Sequence, residues 1–140
     1  MFRVLLPIDS DEERSAAAAE VVTSLPEAAE TVHATILNVE EEMEVRNEAV
    51  VTSDEWYDEE NFPSSLKRVR DVLEDAEITV EVQRRHANPA EAIVIVANEI
   101  DADRIVMGGR KRSPAGKALF GSVTQSVLLN SDTPVTVITK

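Results

Sequence analysis

The chain has no cysteine, which excludes a disulfide framework and any thiolate metal site. Its two histidines, His33 and His86, give no metal-ligand spacing. No apolar run approaches the roughly 20 residues that cross a bilayer, so membrane insertion is not expected. The opening Met1-Phe2-Arg3-Val4-Leu5-Leu6 meets Pro7 and Asp9 too soon for a signal peptide, and a cytoplasmic location is the expectation. Lysine is scarce as well. Only Lys67, Lys111, Lys117 and Lys140 occur, and the other ten basic residues are arginines.

Acid dominates what is present. The 140 residues carry 27 acidic and 14 basic side chains, a formal net charge of −13. A hydrophobic content of 43% argues against disorder, so the acid lies on the surface of a chain with a core. Such a lysine-poor, acidic surface suits high salt, where screening removes self-repulsion, and a halophilic source is expected. The same charge disfavours nucleic acid as a partner, because the phosphate backbone would be repelled. The distribution is uneven. From residue 105 onward Asp132 is the one acidic residue against five basic ones, and Arg110, Lys111, Arg112 and Lys117 cluster within eight positions. A compact basic cluster on an acidic chain points to a local anionic ligand.

Residues 3–8 form a short apolar run, read as a buried strand. Ser10-Asp11-Glu12-Glu13 reads as a capping box, with Ser10 as N-cap and Glu13 three residues on. The helix that follows places Ala18, Val21, Val22 and Leu25 on one face and is expected to stop at Pro26. Residues 32–39 read as a second buried strand, and Leu66, Val69, Leu73 and Ala76 share a helical face. Ile78, Val80 and Val82 alternate with polar residues, as in a strand with one wet face. Asn88-Pro89-Ala90-Glu91 opens another helix, with Asn88 as N-cap. Residues 105–107 are a buried strand, Ser122 with Gln125 reads as a further capping box, and residues 135–138 as a last strand.

The sum is one α/β domain over residues 1–140, an open five-stranded parallel sheet with helices on both faces. Uniform apolarity places the first and fourth strands centrally, and alternation places the third at an edge, giving the order 3-2-1-4-5. The ligand crevice of such a sheet lies at the carboxyl ends of the first and fourth strands. Pro7-Ile8-Asp9 and Met107-Gly108-Gly109 stand there. Residues 40–60 depart from the scheme, with ten acidic residues, one basic residue and Trp56-Tyr57. Glu40-Glu41-Glu42 there reads as a solvated charge run rather than a metal site.

The loop over residues 108–122 carries the chemistry. Gly108 and Gly109 follow a central strand, where a missing Cβ lets backbone amides approach an anion. Gly121-Ser122 sits at a helix start, where unpaired amides and the helix dipole favour phosphate. Each part has an ordinary explanation in turn or capping chemistry, but jointly they favour a phosphate site. Gly116-Lys117 is not the end of a Walker A loop, since Ala118 stands where Ser or Thr is needed and Lys111 where the first glycine is needed.

With these segments the chain resembles the universal stress protein family. The likeness runs from Val4-Leu5-Leu6-Pro7-Ile8-Asp9 and Ile36-Leu37-Asn38-Val39 to Thr133-Pro134-Val135-Thr136-Val137-Ile138. It is strongest in the loop, where nucleotide-binding members show G-x2-G-x9-G-[ST] and this chain supplies Gly108, Gly121 and Ser122. Lys111 replaces the second glycine, and Ala87 replaces a usual glycine before Asn88. The resemblance implies a Rossmann-like domain of the adenine nucleotide alpha hydrolase type. It further implies an ATP-binding stress-response protein, with magnesium carried on the phosphates. Pro7, Ile8 and Asp9 would lie against adenine, read by the Asp9 carboxylate or neighbouring backbone, and Val39 would pack on the base. Met107, Gly108, Arg110 and Lys111 would sit near ribose and phosphates, and Gly121, Ser122 and Val123 would hold the phosphates. Lys111 would strengthen binding if its φ is negative, whereas a positive φ would cost about 1 kcal/mol and shift the loop.

Two other readings stay open. One is a relative that no longer binds nucleotide and acts through dimerisation and protein contacts. The other is a weak ATPase or phosphate-transfer enzyme, although spacing reveals no nucleophile or second catalytic group beside Asp9. The last strand, over residues 135–138, is a bare edge and is expected to pair with a second copy in a homodimer.

Overall fold

The alternating strand and helix signals come together as a five-stranded parallel sheet of order β3-β2-β1-β4-β5. The computed structural model describes residues 1–40, 62–109 and 120–139. The elements run β1 (Phe2–Ile8), α1 (Glu12–Thr23), α2 (Ala28–Thr31), β2 (Val32–Glu40), α3 (Ser64–Asp75), β3 (Thr79–His86), α4 (Pro89–Glu99), β4 (Arg104–Gly109), α5 (Ser122–Asn130) and β5 (Val135–Thr139). The four-residue α2 has no counterpart in the sequence reading. The acidic segment with Trp56 and Tyr57 falls outside the described residues, apart from Glu40 at the end of β2.

Side-chain alternation along the strands divides the core in two. Val4, Leu6 and Ile8 of β1 face α1 and α3, packing with Ile36, Val22, Leu66 and Val69. Leu5 points the other way and joins Leu37, Ile105 and Met107 against Ile93, Val96 and Val127 of α4 and α5. Helices therefore cover both faces, which is why β1 is apolar at successive positions rather than at every second one.

Four local expectations need correction. The N-cap of α1 is Asp11, not Ser10: its side chain accepts the Arg14 amide at 2.9 Å. Asp9 decides this, because its Oδ1 accepts the Asp11 amide at 2.8 Å and turns the chain one residue later than the capping-box spacing suggests. That puts Arg14, rather than Glu13, at the third helical position. The helix then ends at Thr23, capped at Ser24, before Pro26 is reached. Finally, β3 has its wet face only at its start. Thr79 and Glu81 are exposed, but Arg84 is 1% exposed and donates Nε to Asn38 Oδ1 at 2.9 Å. Its guanidinium also lies 5.3 Å from the centre of the Phe62 ring.

With four glycines in the chain, helix ends use other residues. Glu77 (φ 61°) and Asp101 (φ 52°) take the left-handed position after α3 and α4. At each, a paired backbone closure follows: Ile78 N to Leu73 O at 3.1 Å with Glu77 N to Glu74 O at 2.8 Å, and Ala102 N to Ala97 O at 2.9 Å with Asp101 N to Asn98 O at 3.3 Å. Both acids carry a left-handed penalty and face the negative end of a helix dipole. Glu77→Gly and Asp101→Gly should each stabilise the fold by about 1 kcal/mol. The gain should shrink in molar salt, where the dipole contribution is screened; urea unfolding at two salt concentrations measures both.

Candidate functional site

The carboxyl ends of β1 and β4 open onto a cavity of about 650 Å³, a size ordinary for a small-molecule site. The end of β1 supplies Pro7, Ile8 and Asp9, the end of β2 supplies Asn38 and Val39, and the end of β4 supplies Met107 and Gly108. The start of α5 closes the opposite side with Gly121, Ser122, Val123 and Thr124. Nine of the eleven candidate residues thus line one cavity: Pro7, Ile8, Asp9, Val39, Met107, Gly108, Gly121, Ser122 and Val123. The other two, Arg110 and Lys111, lie outside the described residues.

The α5 start is arranged differently from the capping box expected there. Gly121 is the N-cap, in extended conformation (φ −63°, ψ 163°), and among the described residues no side chain caps the helix. Ser122 is therefore the first helical residue. The Gly121 carbonyl accepts from Gln125 N at 3.0 Å, which begins the intrahelical ladder. The amides of Ser122, Val123 and Thr124 precede that ladder, so the helix itself cannot satisfy them, and all three residues line the cavity. With the helix dipole behind them they form a ready anion cradle.

Gly108 and Gly109 belong to β4 rather than following it, opposite Ile138 and Thr139 of β5. Packing explains why both are glycine. A Cβ on Gly108 would come within 2.3 Å of Arg14 Cγ, and one on Gly109 within 2.6 Å of Val137 Cγ1.

At the opposite wall, Arg14 is 8% exposed. It donates Nε and Nη2 to Asp9 Oδ2 at 3.1 and 2.7 Å, and its Nη1 lies 3.3 Å from Asp11 Oδ2. Since Oδ1 of Asp9 also holds the Asp11 amide, both oxygens of this carboxylate are already engaged.

The sequence model of the universal stress protein family matches residues 1–139. The chain belongs to the universal stress protein family. It is similar to the stress response protein NhaX of Bacillus subtilis, with 31% identity over 80 residues, or 57% of this chain and 48% of that protein. The chain spans about half the length of the curated relatives it matches. A universal stress protein solved in complex with cAMP superposes with a TM-score of 0.69 at 23% identity, covering 98% of this chain and 96% of that one. The Archaeoglobus fulgidus universal stress protein in complex with dAMP gives 0.68 at 18% identity, covering 99% and 98%. At these identities the likeness is one of fold.

In this universal stress protein, sequence reasoning passed over three cavity residues of consequence. Arg14 reads as a surface charge in an acidic helix start, and only its approach to Gly108 marks it as buried. Asn38, 7% exposed, lies beside Val39 and takes the buried Arg84. Thr124, 4% exposed, completes the amide row of α5. A polar residue amid the apolar run of β2 was the one available signal for Asn38; Arg14 and Thr124 carried none. Among the described residues no group of three or more His, Asp or Glu is placed to hold a metal ion, and no helix is long and apolar enough to cross a membrane.

Proposed function

We propose that this chain binds an adenine nucleotide, ATP or a close relative, in the cavity between β1, β4 and α5. It would act as a cytoplasmic sensor or switch in the stress response. The start of α5 carries the reading: three residues whose amides lie outside the helical ladder line the same cavity as the Pro7-Ile8-Asp9 segment and Val39. The fold-level likeness to proteins solved with cAMP and dAMP supports the adenine part of it. The phosphates would lie on Gly121, Ser122 and Val123, helped by Arg110 and Lys111, and the base between Val39 and residues 7–9. Magnesium would arrive on the nucleotide.

Calorimetric titration with ATP and magnesium, at a salt concentration where the protein is stable, tests the proposal. Binding is the expected result; no heat and no thermal shift at millimolar ATP would sink it. Lys111→Gly in the same titration addresses the relative that has given up nucleotide. If lysine had closed the site, the glycine variant would gain affinity that the parent lacks.

The chain would work as a homodimer. Among the described residues β5 pairs only with β4 and its other edge is open, with Val135, Thr136, Val137 and Ile138 half-buried. Light scattering at high salt should give twice the 15.4 kDa chain mass, and a monomer would refute the pairing. The acidic surface fits a salt-rich cytoplasm, where the unfolding midpoint would rise with potassium chloride.

A further inference from the structure

Among the described residues, the charged side chains lining the cavity are those of Asp9, Arg14 and Glu40, and Asp11 stands just beyond Asp9. Asp9 and Asp11 bring two carboxylates to the start of α1, and Arg14, one turn along, meets both, at 2.7 and 3.3 Å. The Arg14 stem lies against Gly108, and its side chain is 9% exposed, whereas those of its two acidic partners are 46% exposed. The guanidinium is therefore a fixed charge held under two solvent-facing carboxylates. With it in place the trio carries one net negative charge, and without it two, on a chain already at −13. Asp9 and Arg14 line the same cavity as Ser122, Val123 and Thr124. A phosphate on that helix start would feel the difference across a partly enclosed space, where at an effective dielectric near 20 one unit charge about 12 Å away is worth about tenfold in affinity.

We propose that Arg14 determines the ligand class of this pocket: by cancelling one of the two charges of the Asp9–Asp11 pair it makes the cavity select phosphorylated nucleosides over the bare nucleoside. The inference rests on the nucleotide reading above. It gives Asp9 a structural task, anchoring Arg14 and turning the chain into α1.

The test compares adenosine and ATP by calorimetry, at low and at high potassium chloride. Arg14→Met keeps an unbranched stem against Gly108 and removes the charge. It should leave adenosine within about threefold of the parent and weaken ATP by about tenfold or more at low salt, with the deficit shrinking at high salt. Arg14→Lys, which keeps the charge, should retain the parent's ratio of ATP to adenosine affinity. The double variant Asp9→Asn, Asp11→Asn provides a check that does not depend on Arg14→Met folding. Asparagine preserves the N-cap and the turn acceptor but removes two negative charges, so the ratio should move toward ATP. Equal weakening of adenosine and ATP in Arg14→Met would overturn the inference, as would an unmoved ratio in the double variant. A parent protein that binds neither ligand overturns the nucleotide reading and this inference together; a parent that binds both, with unmoved ratios in the variants, overturns this one alone.

Discussion

Gly108→Ala should destabilise the fold by about 2–3 kcal/mol, the cost of forcing a methyl group into a filled contact. The backbone does not demand glycine here: residue 108 is in β4, paired in register with Ile138, and its φ is not positive. The demand is steric and comes from one neighbour. The new Cβ would sit 2.3 Å from Arg14 Cγ and 2.8 Å from Cδ, both well inside any real contact. Those atoms are the middle of the side chain, not its free end, and the far end is held by Asp9 and Asp11. Arg14 cannot step aside by a small rotation; it must leave, and two carboxylates then lose their contact with the guanidinium. Urea unfolding of a double-mutant cycle checks the cause. In an Arg14→Ala background Gly108→Ala should cost much less, giving a coupling of about 1–2 kcal/mol. Additive effects would show that some other contact makes glycine necessary.

That contact also marks where sequence reasoning stops. The sheet order was legible because it depends on periodicity: β3 alternates at its start, β1 is apolar on both faces, and a parallel sheet has few ways to satisfy both. The start of α4 was legible because Asn88 and Pro89 act locally, and the Asn88 side chain does accept the Glu91 amide at 3.2 Å. Near α1 the local signal was degenerate. Ser10 and Asp11 are both good N-caps, and the Asp9 side chain chooses between them. The ends of α3 and α4 gave no glycine signal, because Glu77 and Asp101 hold the left-handed turns. The buried arginines were illegible for a different reason. Arg84 sits among charged neighbours and looks solvated until Asn38, 46 residues away, and the Phe62 ring are beside it. Arg14 likewise looks like one more charge at an exposed helix start until the end of β4 is laid across it. The position of the cavity followed from topology, whereas its electrostatics followed from contacts that no spacing encodes.

Ser122→Pro should weaken ATP binding by about tenfold to a hundredfold while leaving the fold intact, since a hydrogen bond to a charged group is worth roughly 1.5–3 kcal/mol. Proline is well suited to this position. Ser122 is the first residue of α5, where a missing amide breaks no helical bond and φ near −65° is already required. The residue before a proline must be extended, and Gly121 is, at φ −63° and ψ 163°. No side-chain cap is lost, because Ser122 does not cap the helix, so the unfolding free energy should stay within about 0.5 kcal/mol of the parent. What the substitution removes is one amide and one hydroxyl from the proposed phosphate cradle. Ser122→Ala removes the hydroxyl alone, so the difference between the two variants isolates the amide. Adenosine, which has no phosphate, should bind both variants about as well as it binds the parent. If Ser122→Pro binds ATP as tightly as Ser122→Ala, the amide at the helix start does not hold a phosphate. The anion would then have to be sought elsewhere on the cavity wall.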